Sequence, residues 1–234
     1  MSRRSLLALF VIIAAAAAAL FARLGFWQLS RLHERRAHNA VIAARLAEPS
    51  TTPATLPGDT GALHYRRVHV AGRADYAHEF VLMNRSRAGS PGVNIVTPVR
   101  VAGVDRAVLV NRGWVYSPNS TDIDFGAWRE PDSLDVQGWV EVPSRVQGPA
   151  RLASSPRALR WLDTAAVAHD AGYAVTPYYV VLDSVPGATP RDRPVRLGRP
   201  ALDEGPHKNY AVQWFCFAVV AIVGAGVFVR SSRR

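Results

Sequence analysis

With 234 residues and a mean hydropathy of +0.01, the chain can hold one sizeable domain beside strongly apolar segments. Its formal net charge of +10 comes from 28 basic residues, all arginine except Lys208, scattered without a basic cluster, which argues against nucleic acid as a partner. A single cysteine, Cys216, rules out an intramolecular disulfide, a two-thiol redox or copper site, and covalent haem attachment through Cys-x-x-Cys-His.

The first element begins almost at once. After Arg3 and Arg4, Leu6–Ala22 carries no formal charge, and the apolar run resumes as Leu24–Leu29 beyond Arg23. This position leaves no room for an organellar transit peptide and favours a bacterial membrane protein. A cleaved signal peptide competes with a retained anchor, because the Ala-rich tail suits a signal peptidase. Continuation past Arg23 and a second apolar run at the far end favour the anchor. An intramembrane arginine is costly unless it snorkels or pairs, so Arg23 leaves the depth of the helix open. Near the end of this helix stand Trp27 and Gln28, mirrored by Gln213 and Trp214 in the second run. An antiparallel helix pair would place Trp27, Gln28 and Gln213 at the interface, with the two amides bonded across it.

Beyond Ala40 the chain becomes a linker: Glu48–Leu63 has no apolar period and three prolines. Strand signals follow at Tyr65–Ala71, Glu79–Asn84, Val93–Val101, Ala107–Val115, Leu134–Val142 and Tyr178–Leu182, each bounded by Gly, Pro, Asn or Asp. Between the last two, Asp163 or Thr164 caps a short helix that ends before Gly172. The expected fold is α+β: one strand-rich, mostly antiparallel domain over residues 31–206, flanked by membrane helices in residues 1–30 (core about 6–29) and 207–234 (core about 210–229).

The second membrane segment runs from Tyr210 to Val229, 20 residues without formal charge that span about 30 Å as a helix. Pro206 suits its first turn, and on helical spacing His207, Tyr210, Trp214 and Phe217 fall on one face. Interfacial His, Tyr and Trp are also ordinary belt residues at a membrane surface. Arg3 and Arg4 before the first helix, and Arg230, Arg233 and Arg234 after the second, place both termini in the cytoplasm and the central domain outside.

Catalytic signatures are missing. No Gly-x-Ser-x-Gly, phosphate-binding glycine loop, Gly-x-Gly-x-x-Gly or His-Glu-x-x-His occurs. His33, His38, His64, His69, His78 and His169 lack paired metal-ligand spacing, and Asp122 and Asp124 fall in a turn-like loop. Enzymatic activity is not expected.

Seven blocks together resemble a known family. LGFWQLSRL at Leu24, VHVAGRAD at Val68, GVNIVTP at Gly92, VLVNRGWV at Val108, RWLDTAAVAHDAG at Arg160, TPYYVVLD at Thr176 and PHKNYAVQWFCFA at Pro206 resemble, in order, the surfeit-locus family of cytochrome c oxidase assembly factors. Arg23 is not part of that family pattern.

The resemblance implies a protein of the bacterial plasma membrane that assists maturation of cytochrome c oxidase subunit I. It would receive haem a, transiently, and pass it on, with haem a synthase as a further partner beside the lipid bilayer. It implies that His207, in its His-x-x-Tyr-x-x-x-Trp context, ligates the haem iron, with Tyr210 and Trp214 as further cofactor-binding residues. Imidazole is a usual axial ligand, aromatic rings offer flat faces, and the helix start with Lys208 favours propionates. The alternative is a membrane scaffold that stabilises subunit I without binding haem.

Overall fold

The computed structural model describes residues 3–144, 146–152, 154–183 and 193–232. Its elements are α1 (Arg3–Ala47), α2 (Thr60–Leu63), β1 (Arg67–Ala74), β2 (Phe80–Leu82), β3 (Gly92–Val101), β4 (Ala107–Tyr116), β5 (Ser133–Glu141), β6 (Arg151–Leu152), β7 (Ser155–Leu159), α3 (Thr164–Ala171), β8 (Val175–Leu182) and α4 (His207–Ser232). They form two compact units, Met1–Ala43 with Ala201–Arg234, and Ala44–Pro200.

In the first unit α1 and α4 are each long and apolar enough to cross a bilayer. They run antiparallel: Phe10 meets Phe228 at 4.5 Å between ring centroids, Phe21 stacks on Trp214 at 5.7 Å, and Phe26 meets Phe215 edge-on at 5.2 Å. Buried positions on α1 recur every seven residues at Ala18, Gly25, Leu32 and Asn39, and on α4 at Ala211 and Ala218. A seven-residue repeat keeps one helix face turned to its partner, and small residues on it let the backbones approach. A Cβ on Gly25 would stand 2.7 Å from the Phe215 ring.

The helix α1 outlasts its apolar run. The expected core ended near residue 29 and the domain began at residue 31, whereas the helix continues unbroken to Ala47. Residues 37–47 (AHNAVIAARLA) hold five alanines with Arg45 and Leu46 and no glycine, and the first proline is Pro49, so nothing local stops the helix where the hydropathy falls.

The second unit is built on an eight-stranded mixed sheet in the order β1-β5-β8-β4-β3-β2-β7-β6. Six of its strand pairings are antiparallel, while β2–β7 and β4–β8 are parallel. One edge of β3 is shared: residues 94–96 pair with β2, and residues 99–101 pair with β1. Because β1 also pairs with β5, strands β1, β5, β8, β4 and β3 close into a ring, which leaves those strands without free edges. Closure brings β1 and β3 so close that a Cβ on Gly72 would collide with the Arg100 carbonyl oxygen.

Period-two alternation fills the ring with Val68, Val70, Val99, Val108, Val110, Leu134, Val140, Tyr178, Val180 and Leu182. The opposite face of the sheet is covered by Val167 of α3 and by Leu162, just ahead of it, against Phe80, Leu109 and Val175. Asp163 caps α3, accepting from the Ala165 and Ala166 N–H groups, and Gly172 ends it in the left-handed conformation at φ 69°. The strands β6 and β7, absent from the sequence reading, are short and contain Pro156, which weakens any period-two signal.

Candidate functional site

The sequence-derived site residues lie in the first unit, where α4 begins beside α1. Gly205, at φ 67°, turns the chain into α4, and its N–H donates to Asp203 Oδ1 at 2.9 Å. The turn is clasped to α1 by polar contacts. Arg36 grips Glu204 with two bonds of 2.7 and 2.8 Å, and Asn39 Nδ2 donates to the Asp203 carbonyl at 2.9 Å. Arg35 Nε donates to the same carbonyl at 3.1 Å. These contacts set the height of α4 along α1 and so place His207 level with Gln28.

There the half-buried His207 ring has its Nδ1 atom 2.8 Å from Gln28 Oε1. The amide expected to meet Gln213 meets the imidazole instead. Positions 21, 25 and 28 follow the seam of α1 and positions 211, 214 and 218 that of α4, whereas Gln213 lies about 100° around its helix from Trp214 and is exposed. Trp27 has the Arg31 guanidinium 5.8 Å from its ring, while Phe21, Gly25 and Phe26 meet aromatic rings of α4.

Along the face below His207, Tyr210 is exposed and Trp214 is half-buried. Trp214 stacks on Phe21 and meets Phe217 edge-on, so part of its ring surface belongs to the helix pair. Lys208 is exposed in the first turn of α4.

In the second unit the sequence reading missed a buried charge cluster. The β3–β4 register passes from Val96–Asn111 to Ile95–Gly113, leaving Arg112 as the extra residue of a bulge. Its fully buried guanidinium donates to Thr97 Oγ1 (2.8 Å), Glu79 Oε2 (2.8 Å), Glu130 Oε2 (2.9 Å) and the Trp128 carbonyl (2.6 Å). Arg196 closes the cluster by donating to Glu130 and to the Arg112 carbonyl. Burial pushes the Glu79 carboxyl above the usual range, against the opposing pull of Arg112. An arginine interrupting the apolar run of β4 was the available signal. The cluster ties the β4–β5 loop and the segment around Arg196 to the sheet, and its members are occupied with one another.

Three histidines of this unit are spent on carboxylates: His64 meets Glu141, His69 meets Asp135, and His78 lies 2.8 Å from Asp75, while the exposed His169 lies 3.5 Å from its neighbour Asp170. Asp122 and Asp124 hold their own loop, accepting from Asn119 Nδ2 and the Gly126 N–H at 2.9 Å each.

Two long apolar helices at the chain ends, paired where an imidazole meets an amide, and a strand-rich unit in the sequence between them define a two-helix protein with one β-rich domain. The SURF1 family model matches residues 15–219, and the chain belongs to that family. It is similar to a SURF1-like protein of Monosiga brevicollis, at 26 % identity over 88 % of this chain and 82 % of the relative. A SURF1-like protein of Rickettsia felis matches at 26 % over 86 % of this chain and 88 % of its own. An uncharacterized SURF1-like protein of Mycobacterium bovis matches at 27 % over 97 % and 86 %.

Proposed function

We propose that this protein is a membrane assembly factor for cytochrome c oxidase that holds haem a at His207 while subunit I is matured, with haem a synthase as the source. It acts in the bacterial plasma membrane, crossed by α1 and α4, with both termini cytoplasmic and the β-rich domain outside. Family membership supports oxidase assembly, since the SURF1 family is one of oxidase assembly factors. The terminal arginines support the orientation.

The observation that carries the haem reading is the imidazole of His207 held by Gln28 at the start of an apolar helix, half-buried rather than packed away. The residues present fit a haem. His207 would offer an imidazole nitrogen to the iron, the exposed Tyr210 and the half-buried Trp214 lie on its helix face, and Lys208 with the first-turn N–H groups would suit propionates. Bound there, haem a would supply the redox-active iron that the oxidase needs. His207 would hold the iron and Lys208 with the first-turn N–H groups the propionates, while the bilayer would accommodate the apolar tail.

One observation favours the scaffold reading: Trp214 is partly consumed by stacking on Phe21. Purifying the full chain from cells that make haem a separates the two. The haem reading predicts a haem a absorption spectrum in the purified protein. Co-purification of subunit I with no haem signal would leave the scaffold.

A further inference from the structure

The geometry points to Gln28 and Gly205 as positioning residues that prepare His207 as a ligand through its Nε2 atom, Gln28 by fixing the imidazole tautomer and Gly205 by leaving the Nε2 edge uncovered. This rests on the reading of His207 as a haem ligand. Gln28 Oε1 can only accept, so the 2.8 Å contact with Nδ1 is a hydrogen bond when Nδ1 carries the proton, and it favours that tautomer. In a neutral imidazole that choice leaves the proton off Nε2, whose lone pair then points away from Gln28. A free histidine side chain in water prefers the opposite tautomer, with Nε2 protonated and unable to ligate. The amide thus does for this ring what an outer-shell acceptor does for a metal-bound histidine: it fixes the ring's orientation and the nitrogen that coordinates.

Gly205 supplies the second half. The Cδ2–Nε2 edge faces it, and a Cβ there would stand 3.4 Å from Cδ2 and 3.5 Å from Nε2. A side chain would therefore bring its Cβ into van der Waals contact with the coordinating edge, and the φ of 67° is one that glycine adopts without strain. The clasp of Arg36 on Glu204 and of Asn39 on Asp203 holds this turn, so the two devices act together.

The test begins with no haem present. In the full-length protein, labelled with 15N-histidine in lipid nanodiscs at a pH well above the ordinary imidazole pKa, the nitrogen shifts of His207 should report Nδ1–H. Gln28→Leu should move the ring toward Nε2–H, and Gln28→Glu, which keeps an acceptor, should restore Nδ1–H. Ferric haem, titrated into the same samples and followed at the Soret band, should bind about 10- to 100-fold more weakly to Gln28→Leu. Gly205→Asn tolerates the left-handed turn; it should keep the Nδ1–H tautomer yet weaken haem binding. A wild-type ring protonated at Nε2 overturns the inference whatever haem does, as does a Gln28→Leu ring that stays Nδ1–H. An Nδ1–H tautomer that shifts in Gln28→Leu, in a protein that binds no haem, upholds the control of the ring by Gln28 and sinks the haem reading instead.

Discussion

In the β-rich domain four charged side chains, Arg112, Glu79, Glu130 and Arg196, close on one another with side-chain exposures of 11 % or less, whereas where α4 begins the bond beside α1 joins an imidazole and an amide, His207 and Gln28. In the domain cluster the Arg112 guanidinium is divided among two side-chain carboxylates, a hydroxyl and a carbonyl, so the cluster acts on stability. At the helix start one nitrogen of a half-buried ring is held and the other edge faces a glycine. Buried charge and half-buried imidazole are thus divided between the β-rich unit and a pair of apolar helices.

The largest effect expected on this contrast is from Arg112→Met. With the guanidinium gone, Glu79 is left as a buried carboxylate with little compensation, and the domain should lose about 3–5 kcal/mol in denaturant unfolding. Adding Glu79→Gln should recover part of the loss, because it removes the stranded charge. If Arg112→Met unfolds like the wild type, the cluster is not what ties the loops to the sheet.

A second test uses pH. Burial pushes the phenols of Tyr178 and Tyr179 from 10.0 up to about 12. Their protonated forms are favoured in the folded state, so the associated stability is complete below pH 10.0 and is lost as pH rises through about 12. At about 1.4 kcal/mol per unit, each tyrosine contributes at most roughly 2–3 kcal/mol to alkaline unfolding. Tyr178→Phe should flatten that part of the stability–pH curve while leaving neutral stability nearly unchanged.

The helix pair should answer to size rather than charge. Gly25→Val places methyl groups where the Phe215 ring stands and should weaken pairing by about 1–3 kcal/mol. Oxidative crosslinking between cysteines placed at 10 and 228, in a Cys216→Ser background, should proceed in the parent chain and fall with the valine. Unchanged unfolding of the β-rich domain in that variant would show that the effect is confined to the helices. The smallest expected effect is Asp163→Ala, which removes the cap of α3 at a cost of about 1 kcal/mol in domain stability.

Much of this architecture can be read from residues alone, where the determinant is local. Asp163 and Gly172 bound α3 because capping is decided within one turn, and the runs of β3 and β4 declare themselves by length and composition. The end of α1 is hidden because hydropathy marks what suits lipid and not where a helix stops. Ring closure is hidden because pairing of β1 with both β5 and β3 depends on close approach at Gly72, which no period records. His207 stands out by its place before an apolar run, but its partner does not. Gln28 and Gln213 look symmetric in sequence, and one residue of helical rotation decides that Gln28 lies on the seam and Gln213 does not. Arg112 passes for one more arginine until its bulge and its carboxylates are seen together.

The claim that joins these parts is that His207 holds the haem iron, and His207→Ala tests it most directly. The variant and the parent chain, purified from cells that synthesise haem a, should show the same circular dichroism and the same crosslink between positions 10 and 228, since a half-exposed side chain at a helix start carries little packing energy. The account predicts that haem a co-purifies with the parent and is lost from the variant, and that oxidase activity in the variant's cells falls. A variant that retains a full haem a complement with an unchanged spectrum would contradict it.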